Sequence, residues 1–294
     1  MHGSLAFFAA ASVFAASPVF AQFPAQGFPG ATFGQQAQLA VAPQDLPYTN
    51  NLVSNPGFEK GLGDDPAKGW ASRIKNDAET KAATIMPNAG FQAFEGKKAL
   101  HLKIKSPVKF PSKFLDDPNY GTFLQTANKG KGPNAATVLQ TVPVTPGKLY
   151  ALRFRWRGSE LRKPSVDPGP ERGYAQFEFK GTWVPAKGKK PETLPQVKMP
   201  PIWTDSAEWK TVALPDLAAA AMVALKTKKP PQPAFIRAPQ DVSAITLSLS
   251  LTSCTPGLKP EIWVDRFEFA EVEPEALKAA LKGIAAALPK PAAK

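Results

Sequence analysis

Apolar and polar residues alternate along much of the chain with the two-residue period of a β-strand. Leu100, Leu102 and Ile104 alternate with His101 and Lys103, which buries one face and leaves the other to water. On this parity His101 reads as a solvent-side residue. After a Thr145-Pro146-Gly147 turn, Tyr150, Leu152, Phe154 and Trp156 alternate with Arg153, Arg155 and Arg157 in the clearest strand of the sequence. Trp156 shares the parity of Phe154 and is assigned to the core. Gln176 to Lys180 repeats the alternation, Trp209 to Leu214 is a further candidate, and Ile245, Leu247, Leu249 and Leu251 face inward opposite Thr246, Ser248 and Ser250. Seven or eight short strands with turn-rich connections predict an all-β domain, a sandwich or jelly roll in which each strand contributes one apolar face to a shared core.

One strand breaks its own parity. Ile262 and Val264 face one way and Phe267 and Phe269 the other, so a continuous strand cannot bury all four. A β-bulge near Asp265-Arg266 is therefore expected. Two segments read as helices instead. Residues 216 to 229 form a short one, with Asp216 as N-cap, alanines in the middle and Lys226, Lys228 and Lys229 at the negative end. Pro230, Pro231 and Pro233 stop it. The tail from residue 273 carries Pro274 in its first turn and Leu277, Leu281, Ile284 and Leu288 on one stripe, expected to dock on its own domain or on a partner.

Composition then sets the frame around these strands. The 32 prolines of the 294-residue chain fall largely between apolar runs, where they stiffen loops without breaking a sheet. Leu5 to Ala16 has the length of a signal h-region, too short to span a bilayer, and Val19-Phe20-Ala21 offers small residues before a cleavage site, although His2 stands where a lysine or arginine is usual. Residues 1–21 are thus read as a signal peptide and 22–50 as a low-complexity linker with Phe23, Phe28 and Phe33. Residues 51–272 are the β-domain and 273–294 the amphipathic tail. An exported protein of periplasmic, extracellular or cell-surface location follows, with no transmembrane segment. Cys254 is the only cysteine, so no internal disulfide holds the domain. Nearly all of the formal net charge of +12 falls within residues 51–272. Such a basic module suits anionic partners, although lysine-rich loops that keep an exported protein soluble are the simpler account of the charge. Nucleic acid is set aside because the chain leaves the cytoplasm.

Asn51-Leu52-Val53-Ser54-Asn55-Pro56-Gly57-Phe58-Glu59-Lys60-Gly61, with Trp70 downstream, resembles the opening of carbohydrate-binding modules of the galactose-binding-like jelly-roll superfamily. Further pieces follow in the family's order. Glu95-Gly96-Lys97-Lys98-Ala99-Leu100 is similar to its Gly-x-x-Ala-Leu strand start, and Val144 to Tyr150 to its turn-plus-strand. Glu208-Trp209-Lys210 resembles the opening of a late strand and Ile262 to Phe267 the closing one. Proline-rich insertions at about 158–173, 184–207 and 215–241 depart from the family and border the expected ligand surface. The resemblance implies a non-catalytic domain that binds polysaccharide or a cell-surface glycan, with an acidic glycan among the candidates. It also implies a structural calcium held by Glu59, Asp265 and backbone carbonyls near Lys98. Hard oxygen ligands from the two chain ends suit calcium and would tie the termini of a domain without disulfides. The alternative is carboxylates that cap loop amides or pair with lysine or arginine.

The candidate ligand face begins with Arg153, Arg155 and Arg157, which leave their sheet on one side. If Gln176 and Glu178 belong to the same sheet, their side chains share that face, with Trp183 and Trp203 as stacking platforms for sugar. A solvated arginine ladder partly neutralised by Glu178 is the plain alternative. A structural or surface-adhesion domain of the same fold remains a second functional reading. Catalysis finds little footing. A triad would depend on His101, since His2 lies in the leader, and neither Gly-x-Ser-x-Gly nor His-Glu-x-x-His occurs. A glycosidase needs two suitably separated acids. Glu261, Asp265 and Glu268 invite that role, yet their spacing puts Glu268 on the opposite side of a regular strand from the other two.

Overall fold

A computed structural model describes residues 50–75, 83–87, 93–104, 134–165, 173–188, 194, 196–227, 235–253 and 258–287. The expected signal peptide, nearly all of the linker, Cys254 and the last residues of the tail lie outside these ranges. Among the described residues, twelve strands form two antiparallel sheets. Sheet A is built on β5 (Leu149–Ser159) and β12 (Glu261–Glu271), continuing through β3 (Lys98–Lys103) to β2 (Ala83–Pro87). On its far side β5 pairs with both β9 (Ser206–Leu214) and the short β10 (Ile236–Arg237). Sheet B runs from β1 (Ala71–Lys75) through β4 (Asn134–Pro143) and β11 (Val242–Ser253) to β7 (Gly173–Pro185). The edge of β7 carries β6 (Arg162–Ser165) and β8 (Val197–Lys198). The expected β-sandwich is the one observed.

The alternation read from the sequence is the alternation of burial. Tyr150, Leu152, Phe154 and Trp156 of β5 and Ile245, Leu247, Leu249 and Leu251 of β11 are all buried, while Arg153, Arg155 and Arg157 of β5 and Thr246, Ser248 and Ser250 of β11 are half-buried. The two sheets meet through rings. Phe154 stacks on Phe267 within sheet A at 5.5 Å, and sheet B closes over them with Phe177 edge-on to Phe154 at 6.0 Å and Phe179 tilted to Phe267 at 6.1 Å. Burying four phenylalanines at this junction contributes on the order of 1.5–3 kcal/mol each. Trp183, expected on a ligand surface, belongs to this core, where it is 4% exposed. One long central strand, β4, was not anticipated. Ala136, Val138 and Val142 nonetheless alternate with Thr137 and Thr141 as a buried strand should.

The predicted bulge is present. The pairing of β12 with β5 shifts register between Asp265 and Glu268, and Arg266 sits at φ 49°. Ile262, Val264, Phe267 and Phe269 all end wholly buried. The amide of Phe267 donates to the Pro56 carbonyl at 2.8 Å, so the segment at the domain's start satisfies a backbone group that the bulge frees from the ladder. Asn51 fastens the same two regions: its Oδ1 accepts from Phe269 N at 3.0 Å and its Nδ2 donates to Phe267 O at 3.1 Å.

Both expected helices form, α1 (Leu217–Thr227) and α2 (Pro274–Ala287). Asp216 caps α1 by accepting the Ala219 N–H at 2.8 Å. Leu217 and Ala221 of α1 and Leu277 and Ala280 of α2 gather with Ala151 and Val272 in a second apolar cluster, so the tail docks on its own domain. Ala151 shares parity with Arg153, which means the helices cover one end of the outer face of sheet A and leave the rest to Arg153, Arg155 and Arg157. Among the described residues no helix is long and apolar enough to cross a membrane.

Candidate functional site

Sheet membership decides which candidate residues meet. Arg153, Arg155 and Arg157 stand on β5 in sheet A, whereas Gln176 and Glu178 stand on β7 in sheet B. The outer faces of the two sheets point away from each other, so the single face expected from these five residues does not exist. Trp203 goes with sheet B, where its Nε1 donates to Gln176 Oε1 at 2.9 Å. Gln176 in turn donates to Glu178 at 2.9 Å, and Lys180 lies 3.0 Å from Glu178.

The arginines meet other partners. One rung of sheet A pairs His101 of β3 with Trp263 of β12, and Trp263 with Arg157 of β5. The His101 and Trp263 rings stack 4.9 Å apart with planes 10° from parallel, and the Arg157 guanidinium lies 5.1 Å from the Trp263 ring and 5.6 Å from that of Trp209 on β9. A row of four planar groups therefore crosses four strands. One rung away, Arg155 lies 4.7 Å over the ring of Phe94, which meets Trp209 edge-on at 6.0 Å. Phe94 is 37% exposed, unusual for a ring of its size.

His101, read as solvent-side, lies on the outer face as its parity requires but is only 6% exposed. Its Nε2 is 3.0 Å from Glu261 Oε2, and Lys103 Nζ donates to the other oxygen of the same carboxylate. Burial pushes the Glu261 carboxyl up, yet the Lys103 hydrogen bond and the His101 charge outweigh it and hold the group below the usual glutamate value. At the other end of the face Arg153 Nε donates to Glu268 Oε2 at 2.6 Å, with Arg266 3.5 Å from the second oxygen. Because the bulge inserts an extra residue, Asp265 pairs with Arg155 and Glu268 with Arg153. Glu268 is thus on the same side as Glu261 and Asp265, contrary to the regular-strand expectation.

The loop between β2 and β3 is what brings Phe94 over this face, and two carboxylates anchor it. Asp265, wholly buried, accepts from Glu95 N at 3.0 Å and Arg266 N at 2.7 Å. Glu59 Oε1 accepts from Lys97 N at 2.6 Å and Lys98 N at 3.1 Å, while Lys98 Nζ donates to the Glu59 carbonyl at 2.9 Å. Asn55 and Phe58, both with φ 55°, and the buried Phe58 ring turn the opening motif so that Glu59 reaches this loop. Burial pushes the Asp265 carboxyl up to about 6 against the pull of the loop amides. The donor chemistry fits a hard cation: two carboxylates converge on one loop, and one of them is a desolvated anion that a divalent ion would hold in its charged form. Among the described residues, however, no group of three or more His, Cys, Asp and Glu side chains gathers there. Lys98 is engaged through its amide and ammonium. Beside the anchor lies a cavity of about 430 Å³ lined by Asn51, Gly57, Glu59, Glu95, Arg266 and Glu268.

Sequence reasoning missed Trp263, Trp209 and Phe94. Trp263 had a signal, since its parity is opposite to that of Ile262 and Val264, and Trp209 shares parity with the outward Thr211. Phe94 sits in a loop, where no periodicity marks it.

No family model matches the chain, and no curated protein does. Solved structures show likeness at low identity. A CBM61 carbohydrate-binding module in complex with β-1,4-galactotriose matches with 14% identity over 76% of this chain and 99% of that one, at a TM-score of 0.41. The CBM22-1 xylan-binding domain of Paenibacillus barcinonensis Xyn10C matches with 13% identity over 74% and 92%, at 0.36. A cyclase from Fischerella sp. TAU, in complex with 4-(1H-indol-3-yl)butan-2-one, matches with 12% identity over 74% and 95%, at 0.40.

Proposed function

We propose that residues 51–272 form a non-catalytic module of an exported protein, binding a glycan on the outer face of sheet A. The observation that carries this reading is the row His101–Trp263–Arg157–Trp209, flanked by Arg155 under Phe94. Planar groups and rings gathered on one rigid sheet face suit a sugar-binding surface, because guanidinium groups give hydrogen bonds to hydroxyls while the apolar ring carbons exclude water. A structural calcium at Glu59 and Asp265 is part of the proposal. There it would fix the Phe94 loop and join the two ends of the domain, and its support is the buried, unusually basic Asp265 carboxylate.

Carboxylate placement favours binding over hydrolysis. Glu261 and Glu268 now share a face, but their β5 partners, Ser159 and Arg153, are six residues apart. At a rise of about 3.3 Å per residue that is roughly 20 Å, well beyond the ~9.5 Å that glycosidase acids tolerate. Asp265 is nearer to Glu268, but it is wholly buried beneath the Phe94 loop, where it holds the Glu95 amide and serves the proposed calcium. Glu261, held low by Lys103 and His101, is not a ready proton donor, and Glu268 is bound by Arg153.

Tryptophan fluorescence titrated with a panel of neutral and acidic polysaccharides tests the reading. A saturable change is expected for at least one glycan, lost in Trp263→Ala and in the Arg153/Arg155/Arg157 triple alanine variant. Silence across the whole panel leaves the alternative, a structural or adhesive domain without a sugar ligand.

A further inference from the structure

The cavity beside the loop anchor is walled by three separate stretches of chain. Gly57 and Glu59 come from the opening segment, Glu95 and Gly96 from the Phe94 loop, and Arg266 and Glu268 from the closing strand. Its volume of about 430 Å³ lies within the ~300–1,000 Å³ of small-molecule sites. Glu268 also pairs with Arg153 on the outer face of sheet A, so cavity and face share a side chain.

The bulge is what brings Arg266 here. It turns the Arg266 backbone to φ 49°, and the guanidinium comes to lie between two carboxylates with its side chain 41% exposed. Its Nε is 3.4 Å from Glu95 Oε2 and 3.5 Å from Glu268 Oε1. Both contacts are longer than the about 2.7–3.2 Å of an N–H···O hydrogen bond, whereas Arg153 holds the other Glu268 oxygen at 2.6 Å. Glu268 is itself only 9% exposed. A guanidinium and a buried carboxylate thus meet at a polar cavity without the short bond that such a pair ordinarily makes.

The gap has a chemical preference. A guanidinium only donates and a carboxylate only accepts, while a hydroxyl does both. A hydroxyl entering between them takes an N–H from Arg266 and gives its own hydrogen to Glu268 or Glu95, and a vicinal pair of hydroxyls serves both carboxylates. A ligand carboxylate could only accept, and it would meet the charge of Glu59, Glu95 and Glu268 together. An ammonium could only donate, which leaves the guanidinium opposed by a like charge.

Resting on the glycan reading, we infer that this cavity is a subsite for one neutral sugar residue of the bound glycan, held through its hydroxyls by Arg266, Glu268 and Glu95. Glu59 has no part in it, because its Oε1 already takes the Lys97 and Lys98 amides. The subsite and the calcium anchor therefore rest on different side chains.

The test is titration calorimetry on the full chain, with calcium present throughout. The ligands are short linear oligosaccharides of gluco, manno, galacto and xylo configuration, beside galacturonate and glucosamine oligomers. At least one neutral series is expected to bind, with the acidic and cationic oligomers at least about tenfold weaker. Arg266→Gly should lose about tenfold or more in affinity. Its melting temperature should not fall, because glycine adopts φ 49° more readily than arginine does. Gly57→Leu attacks the cavity wall instead. A Cβ there meets only Asp265 Oδ1, at 3.8 Å, so the fold accommodates a side chain that crowds the cavity, and affinity should again drop. If Trp263→Ala loses binding while Arg266→Gly and Gly57→Leu bind like the parent, the subsite is overturned and glycan binding on the face stands. If the parent binds no oligosaccharide or polysaccharide at all, the glycan reading itself fails. Galacturonate or glucosamine oligomers that bind as tightly as the neutral series would overturn selection of a neutral sugar.

Discussion

Asp265 holds the backbone of Glu95 across 170 residues of sequence, its Oδ2 accepting the Glu95 N–H at 3.0 Å. Through that bond a closing-strand residue, wholly buried, sets where the neighbouring Phe94 ring lies over Arg155. Asp265→Ala is expected to cost about 2–4 kcal/mol in urea unfolding, because it strands buried amides and leaves a void. Gly96→Ala attacks the other anchor. Gly96 has φ +72°, and a Cβ there would fall 2.1 Å from Glu59 Oε1. Both variants should also weaken glycan binding if Phe94 is part of the site.

Calcium at Glu59 and Asp265 predicts a metal response. Protein treated with EDTA and then moved to metal-free buffer should melt at a higher temperature when calcium is added. The gain is ~2.7 kcal/mol at a hundredfold excess over Kd. Asp265→Asn should abolish the gain. A melting temperature indifferent to both EDTA and calcium would mean that the amide hydrogen bonds alone hold the loop.

Three tryptophans separate the faces. Trp263→Ala should reduce glycan affinity by about tenfold or more, since it removes the support of both His101 and Arg157. Trp203→Ala, on sheet B beside Gln176, should leave affinity unchanged. Trp183→Ala should instead lower stability by about 3–5 kcal/mol through the core cavity it opens. Binding measured with stability for all three decides which face is used.

Arg153 and Glu268 form a charge pair with side chains each 12% exposed. Arg153→Ala leaves a poorly hydrated carboxylate without its closest partner, for a loss of about 3 kcal/mol. Restoring part of that loss by Glu268→Gln in the same chain would show that the stranded charge is the cause, in a double-mutant cycle.

Glu261 predicts the acid limb of the stability curve. Its folded value lies below the ordinary 4.5, so the unfolded chain binds the proton more readily. Its contribution is then fully present above about 4.5 and is lost as pH falls through the lower folded value. Glu261→Gln should be less stable than the parent at neutral pH and converge on it in acid. Urea midpoints between about pH 3 and pH 7 measure this.

Much of the fold is local and was legible. Whether a side chain points inward follows from alternation along one strand, a covalent regularity that needs no partner. That is why Leu100, Phe154 and Leu249 were placed correctly. It is also why the conflict between Val264 and Phe267 requires a bulge at Asp265-Arg266. Asp216 and Pro274 marked the helix starts for equally local reasons.

The same anchor that ties Asp265 to Glu95 shows where local reading ends. Sequence alone determined the faces of each strand, the bulge and the pieces of the opening and closing motifs. Only the tertiary structure decided that Arg153, Arg155 and Arg157 belong to a different sheet from Gln176 and Glu178. It alone turned Trp183 into the core and set Trp263 between His101 and Arg157. Parity is set within a strand, whereas sheet membership is set by which distant strand it pairs with. The partners here, β3, β5, β9 and β12, come from four separate stretches of chain. A binding face made by their pairing has no signature in any one of them.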